Sequence, residues 1–204
     1  MTSIPYGFFR AAAASIPLRV GAAAFNAEII VRTARTAAEE DVRLLVLPEL
    51  CVTGYSCGDL FHQDTLLKSA EKALGDILSG TENLDTVIVI GFPAAAGNGL
   101  FNCAAAIQRG LILGVVPKIH LPNYAEFYEE RWFSSGASAP AGSITLAGKT
   151  VPFGTDLLFR ADGDDGAAFG IEICEDLWAP APPSTRLALE GALVICNPSA
   201  SNET

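Results

Sequence analysis

Three residues of this 204-residue chain sit where a side chain could do covalent chemistry, and each ends a strongly apolar run. Cys174 closes AAFGIEI and opens EDLW ahead of a proline-rich segment. A thiol at such a strand-to-helix turn is presented above a sheet edge, where ligands bind in α/β folds, and N–H groups of the turn can face a developing oxyanion. Glu49 directly follows LLVLP. A carboxylate there, if partly buried, is suited to take a proton near neutral pH. Lys118 follows GVVP. Its ammonium could hold a carboxylate in place or stabilise a tetrahedral oxyanion. Together they supply a nucleophile, a general base and an electrophilic cation. Taken singly, each has a plainer reading: a buried structural cysteine, a solvated turn glutamate and a snorkelling lysine. Neither His62 nor His120 lies in a setting that resembles Cys-His protease chemistry.

The elements that must position these groups can be read from periodicity. FFRAAAASIPLRVG reads as a short strand and a loop. Asn26 is a candidate cap for a helix over AEIIVRTARTAAEE that ends near Asp41, and VRLLVLP is a buried strand ended by Pro48. QDTLLKSAEKALGDILSG places Leu66, Leu67, Ala70, Leu74, Ile77 and Leu78 on one helical face, with Gly80 where the helix can stop. TVIVIGFP is another buried strand. GLFNCAAAIQRGLILGVVPKIHLP reads as two strands joined at a hairpin around Arg109 and Gly110. Residues 122–142 read as a loop with one helical turn, a lid over a pocket. A strand pair is expected around SITLAG and DLLFRA, with DGDDG as an acidic turn. AAFGIEIC is a strand, APAPPSTRLALEG a proline-started helix and ALVICNP a strand. The alternation of strand and helix predicts an α/β layered fold.

Composition narrows the function classes. The chain is half apolar, enough for one substantial core, and carries 13 Lys and Arg against 23 Asp and Glu, a formal charge of −10. No basic cluster offers a footprint for nucleic acid or an anionic membrane surface. No run is long and apolar enough to span a membrane, and no secretory signal pattern is visible. Five cysteines, at 51, 57, 103, 174 and 196, match neither a disulfide framework nor a zinc spacing, so a reducing cytoplasm is expected. GFPAAAGNG lacks the spacing and lysine of a phosphate-binding loop.

LPELCVTGY, PKIHLPNYAEFYEERWF and GIEICEDLW resemble the three motif regions of the carbon–nitrogen hydrolase, or nitrilase, superfamily. The resemblance implies an α-β-β-α sandwich with Glu49 as base, Lys118 as stabilising cation and Cys174 as nucleophile. It also implies that Glu126 is the second glutamate, which positions the lysine and substrate. YSCGDLF, NYAEFYEERWF and the pairing of CEDLW with NPSASNET are similar to one branch, the glutaminase domains of glutamine-dependent NAD synthetases. That branch implies L-glutamine as substrate, contacted by Tyr124, Glu175 and Ser201. It further implies no cofactor or metal in this domain and a C-terminal synthetase domain in cis that uses ATP and Mg to amidate deamido-NAD. A homo-oligomer, up to an octamer, is expected. Residues 1–204 are then a partial nitrilase-like domain, incomplete at its C-terminal end, with the synthetase domain beyond. A free-standing amidase of another small amide and an inactive scaffold subunit are the alternatives.

Overall fold

The computed structural model describes residues 8, 10–140, 142–161 and 167–201. Two sheets face each other. The larger holds β1 (Ala11–Ala13), β2 (Leu44–Val46), β3 (Val87–Ala96), β4 (Gly99–Gln108), β5 (Leu111–Pro117), β6 (Gly142–Leu146) and β7 (Lys149–Phe153), in the order β1-β2-β3-β4-β5-β7-β6. The smaller holds β8 (Leu158–Arg160), β9 (Ala168–Ile171) and β10 (Val194–Cys196), in the order β10-β9-β8. Helices α1 (Ala23–Glu39) and α2 (Asp64–Gly80) cover the outer face of the large sheet, and α3 (Pro183–Leu189) packs on β9. This is the α-β-β-α sandwich that the motifs implied.

Alternation along β4 shows how the layers form. Cys103, Ala105 and Ile107 join the core under α1 and α2, whereas Ala104 and Ala106 join Val89, Val116, Ile171 and Ile173 between the sheets. Successive strand side chains point to opposite faces, so a strand buried on both sides reads as one continuous apolar run. On α1, Ala23, Ala27, Ile30, Ala34 and Ala37 recur at helical spacing and are buried. On α2, Ala70, Ala73, Leu74, Ile77 and Leu78 do the same; Leu66 is buried and Leu67 half-buried.

Strand direction brings the chemistry to one edge. β2 runs parallel to β3, and β3 and β5 both run antiparallel to β4. β2 and β5 therefore point the same way, and the segments after them, with Glu49 and Lys118, emerge at the same edge. Asn102 lies near the start of β4, opposite Pro93, at that edge.

Two expectations are corrected. Asn26 lies inside α1, where its buried amide bonds Arg19 N, Arg19 O and Val52 O. It fastens the preceding loop instead of capping the helix. SITLAG does not pair with DLLFRA: β6 pairs antiparallel with β7 in the large sheet, and β8 pairs with β9 in the small one. The intervening KTVPF strand carries a proline and a lysine, which hid its strand pattern. The expected hairpin is present, with Arg109 at φ 49° and Gly110 at φ 69° between β4 and β5. DGDDG lies outside the described residues.

Candidate active site

Glu49 leaves β2 through Pro48 and is 1 % exposed. The turn that carries it is tight. Leu50 takes φ 51°, and a Cβ at Gly91 would stand 2.3 Å from Leu50 N. Only glycine at 91 lets β3 pass this close to the turn. One carboxylate oxygen of Glu49 accepts from Lys118 Nζ at 2.6 Å and from Asn102 Nδ2 at 2.8 Å, and the other accepts from Ala200 N at 3.1 Å.

Lys118, also 1 % exposed, leaves β5 after Pro117. Gly136 packs against it, donating its N–H to Lys118 O at 2.7 Å, and a Cβ at 136 would fall 2.6 Å from Pro117 O. Lys118 Nζ also donates to Glu129 at 2.6 Å. Burial alone would push the ammonium down. The charges of Glu49 and Glu129, and their hydrogen bonds, outweigh it and hold the lysine above its ordinary range.

The glutamate beside the lysine is therefore Glu129, and the expectation for Glu126 is corrected. Glu126 is exposed, whereas Glu129 is buried and also accepts from Tyr55 Oη at 2.9 Å and from Asn102 Nδ2 at 3.4 Å. NYAEFYEERWF offers glutamates at 126, 129 and 130, and sequence spacing cannot choose among them. The choice comes from a short 3-10 turn over Glu129–Arg131, which turns Glu129 inward. Burial, followed by the charge of Glu49, pushes the Glu129 carboxyl up, against the pull of Lys118.

Cys174 opens a 3-10 turn over Cys174–Trp178 at φ 47°, in the left-handed region that a side chain rarely adopts. Its N–H is committed to Asn197 Oδ1 at 2.9 Å and Pro198 O at 3.0 Å, so it is not an oxyanion donor in this geometry. The thiol is half-buried, and its Sγ stands 3.6 Å from Ser201 Oγ. Burial, then the charge of Glu49, raise the Cys174 thiol, while Lys118 pulls it down. Cys51, Cys57, Cys103 and Cys196 are buried, and all five thiols are free.

Sequence reasoning also missed Asp176, which is 1 % exposed. One of its oxygens accepts from Ile119 N and His120 N at 3.1 and 2.7 Å, and the other from Ile173 N at 3.0 Å. It ties the backbone after Lys118 to the backbone before Cys174. The adjacent Glu175 accepts from Tyr124 Oη at 3.0 and 3.1 Å. Tyr124 and Glu175 border a cleft of about 440 Å³ that also includes His120, Trp178 and Pro180; none of Glu49, Lys118 and Cys174 lines it. The structure thus joins Glu49 and Lys118 directly and places Tyr124 with Glu175, and Ser201 with Cys174. Among the described residues, no group of three or more His, Cys, Asp and Glu could hold a metal ion, and no helix is long and apolar enough to cross a membrane.

The fold and this cluster at one sheet edge define a class, and the carbon–nitrogen hydrolase family model matches residues 10–204: the chain belongs to that family. Within it, the chain is similar to glutamine-dependent NAD(+) synthetases. It is 42 % identical over 196 residues to that of Mycobacterium tuberculosis (strain ATCC 25618 / H37Rv), a match that covers 96 % of this chain and 29 % of the relative. It is 33 % identical over 188 residues to that of Aquifex aeolicus (strain VF5), covering 92 % of this chain and 29 % of the relative. The crystal structure of a glutamine-dependent NAD(+) synthetase from Cytophaga hutchinsonii superposes with a TM-score of 0.80 at 30 % identity, over 95 % of this chain and 30 % of that one. An amidase of Nesterenkonia from the nitrilase superfamily shares the fold, with a TM-score of 0.74 at 18 % identity, covering 96 % of this chain and 66 % of that one. The chain spans under a third of the length of the synthetases it matches.

Proposed function

We propose that this chain hydrolyses L-glutamine to glutamate and ammonia, with Cys174 as nucleophile, Glu49 as general base and Lys118 as electrophilic cation. The observation that carries the reading is the buried Glu49–Lys118–Glu129 cluster, whose Glu49 and Lys118 charges act on the Cys174 thiol. Because that thiol is held above its ordinary range, it rests protonated and needs a base at the moment of attack. Glu49 takes the thiol proton, and sulfur adds to the amide carbon. Glu49 and Glu129 engage two of the three Lys118 N–H groups, leaving one to meet the oxyanion. The proton passes to the departing ammonia. Glu49 then draws a proton from water as it attacks the thioester, and the thiol is restored.

Glutamine is favoured by the polar rim at the thiol. The half-buried Glu175 carboxylate suits an α-ammonium, and the hydroxyls of Tyr124 and Ser201 suit its carboxylate. Names of the relatives point the same way. On this reading, ammonia passes to an ATP- and Mg-using synthetase domain in cis, beyond residue 204, that amidates deamido-NAD. Assembly as a homo-oligomer, up to an octamer, belongs to the same proposal. Five free thiols fit a reducing cytoplasm.

The test is ammonia release from L-glutamine by the native chain and by Cys174→Ala, with asparagine and small aliphatic amides alongside, then with ATP and deamido-NAD added. Glutamine-selective release that is lost in the variant supports the reading. Cys174-dependent release from another amide alone turns it into a free-standing amidase. No turnover of anything, with or without the synthetase substrates, leaves a scaffold.

A further inference from the structure

Asn102 touches every part of the buried charge cluster and is 1 % exposed. Its Nδ2 donates to Glu49 at 2.8 Å and to Glu129 at 3.4 Å. Its backbone carbonyl accepts from Lys118 N at 2.8 Å. It stands in β4 two residues before Ala104 and four before Ala106, so it continues the row that faces the second sheet. An apolar side chain would suit that row. Instead, the site holds a carboxamide whose Oδ1 is buried with no hydrogen-bond partner. A lone buried acceptor costs stability, so packing gives no reason for an amide here. Two carboxylates converging on one ammonium do give one. Each needs a neutral donor that stabilises negative charge without adding a second cation.

We propose that Asn102 is a positioning residue for the hydrolase reaction: its amide and Lys118 fix one Glu49 oxygen between them, so that Glu49 is aimed to take the Cys174 proton. Glu49 is faced by Lys118 at the end of β5, Glu129 on its 3-10 turn, Tyr55 on the turn after Glu49 and Cys174 itself. Of these, only Lys118 is a cation, and it is shared with Glu129. With the Nδ2 bonds removed, each carboxylate loses a neutral donor, and Glu49 keeps only Lys118 and Ala200 N to orient it. Glu49 is then less well placed to act as base.

The inference rests on Glu49 being the base for Cys174, as proposed above, but it does not depend on glutamine being the substrate. The deciding measurement is accordingly substrate-free: the rate of Cys174 alkylation by iodoacetamide against pH, with the modified site located by mass spectrometry. Its acid limb reports loss of the Cys174 proton in the surroundings that Glu49, Lys118 and Ser201 set. Asn102→Leu, close in size, is expected to move that limb up by about one pH unit and to slow alkylation at neutral pH about tenfold. Asn102→Asp, closer still in shape, places a third carboxylate on the pair and should raise the limb further. It stands in if the leucine variant does not fold. Unchanged limbs in a folded variant, by circular dichroism and thermal melting, overturn the proposal. In parallel, glutamine turnover should show kcat falling with KM within about twofold, because Asn102 is buried away from the polar rim. A rise in KM alone would overturn the positioning role. A native chain that ignores glutamine would sink the glutaminase reading and leave the alkylation result to decide Asn102.

Discussion

Lys118 Nζ lies 2.6 Å from Glu49 and from Glu129, and Arg109 Nε lies 2.6 Å from Asp85. The side chains of the first group are at most 1 % exposed, while both side chains of the second pair are 58 % exposed. Equal distances here mean different things. At the hairpin, water screens the pair and would solvate either partner alone, so little is gained or lost by its presence. In the buried cluster, every charge has given up water, and each is tolerable only while the others remain. Two carboxylates share one ammonium, and burial followed by the charge of Glu49 raises the Cys174 thiol against the pull of Lys118. A layout poor for stability is therefore suited to proton transfer.

The largest expected effect comes from breaking the buried cluster at its centre. Lys118→Met keeps the length of the side chain but leaves two carboxylates facing each other. It should cost about 3–5 kcal/mol in urea unfolding. It should also lower the Cys174-dependent hydrolysis rate by about a thousandfold, because the proposed oxyanion donor goes with it. Loss of activity with no loss of stability would show that the cluster is hydrated after all.

Next, Glu129→Gln should lower kcat about ten- to a hundredfold, and Glu126→Gln by less than about twofold, in the same ammonia-release assay. The reverse order would return the lysine-positioning role to Glu126.

A pH series sharpens the comparison further. Burial and the Glu49 charge hold the Glu129 carboxyl above its usual value, so the folded protein keeps a proton that the unfolded chain has released. Stability from this group is fully present at low pH and is lost as pH rises through the folded value. Asp85 has the opposite sign. The Arg109 hydrogen bond holds it below the usual range, so its small contribution is present at neutral pH and is lost as pH falls through its lowered value. Calorimetry of the native chain against Glu129→Gln, from about pH 5 to 8, should show the native melting temperature falling relative to the variant as pH rises. A flat difference would break the assignment. Smallest of all, Arg109→Ala should shift the melting temperature by no more than about 2 °C, and by less still in high salt.

Much of this contrast was open to reading before any coordinates. Glu49, Lys118 and Cys174 each end an apolar run, and a polar group just past a buried strand is legible because strand burial depends on local pattern. The layered fold, both long helices and the Arg109–Gly110 turn followed from the same periodicities. Which glutamate meets the lysine did not, since Glu126, Glu129 and Glu130 lie within five residues and one 3-10 turn decides which faces inward. Asn102 looked like one more strand residue, Asp176 like one more acid, and Asn26 like a helix cap. Their roles depend on bonds to residues as far as 57 positions away, which no local spacing encodes. The sequence by itself determined which residue types end the strands, because short-range burial patterns require it. Only the tertiary structure decided which charges share a dry pocket, because desolvation is set by every element that closes over them.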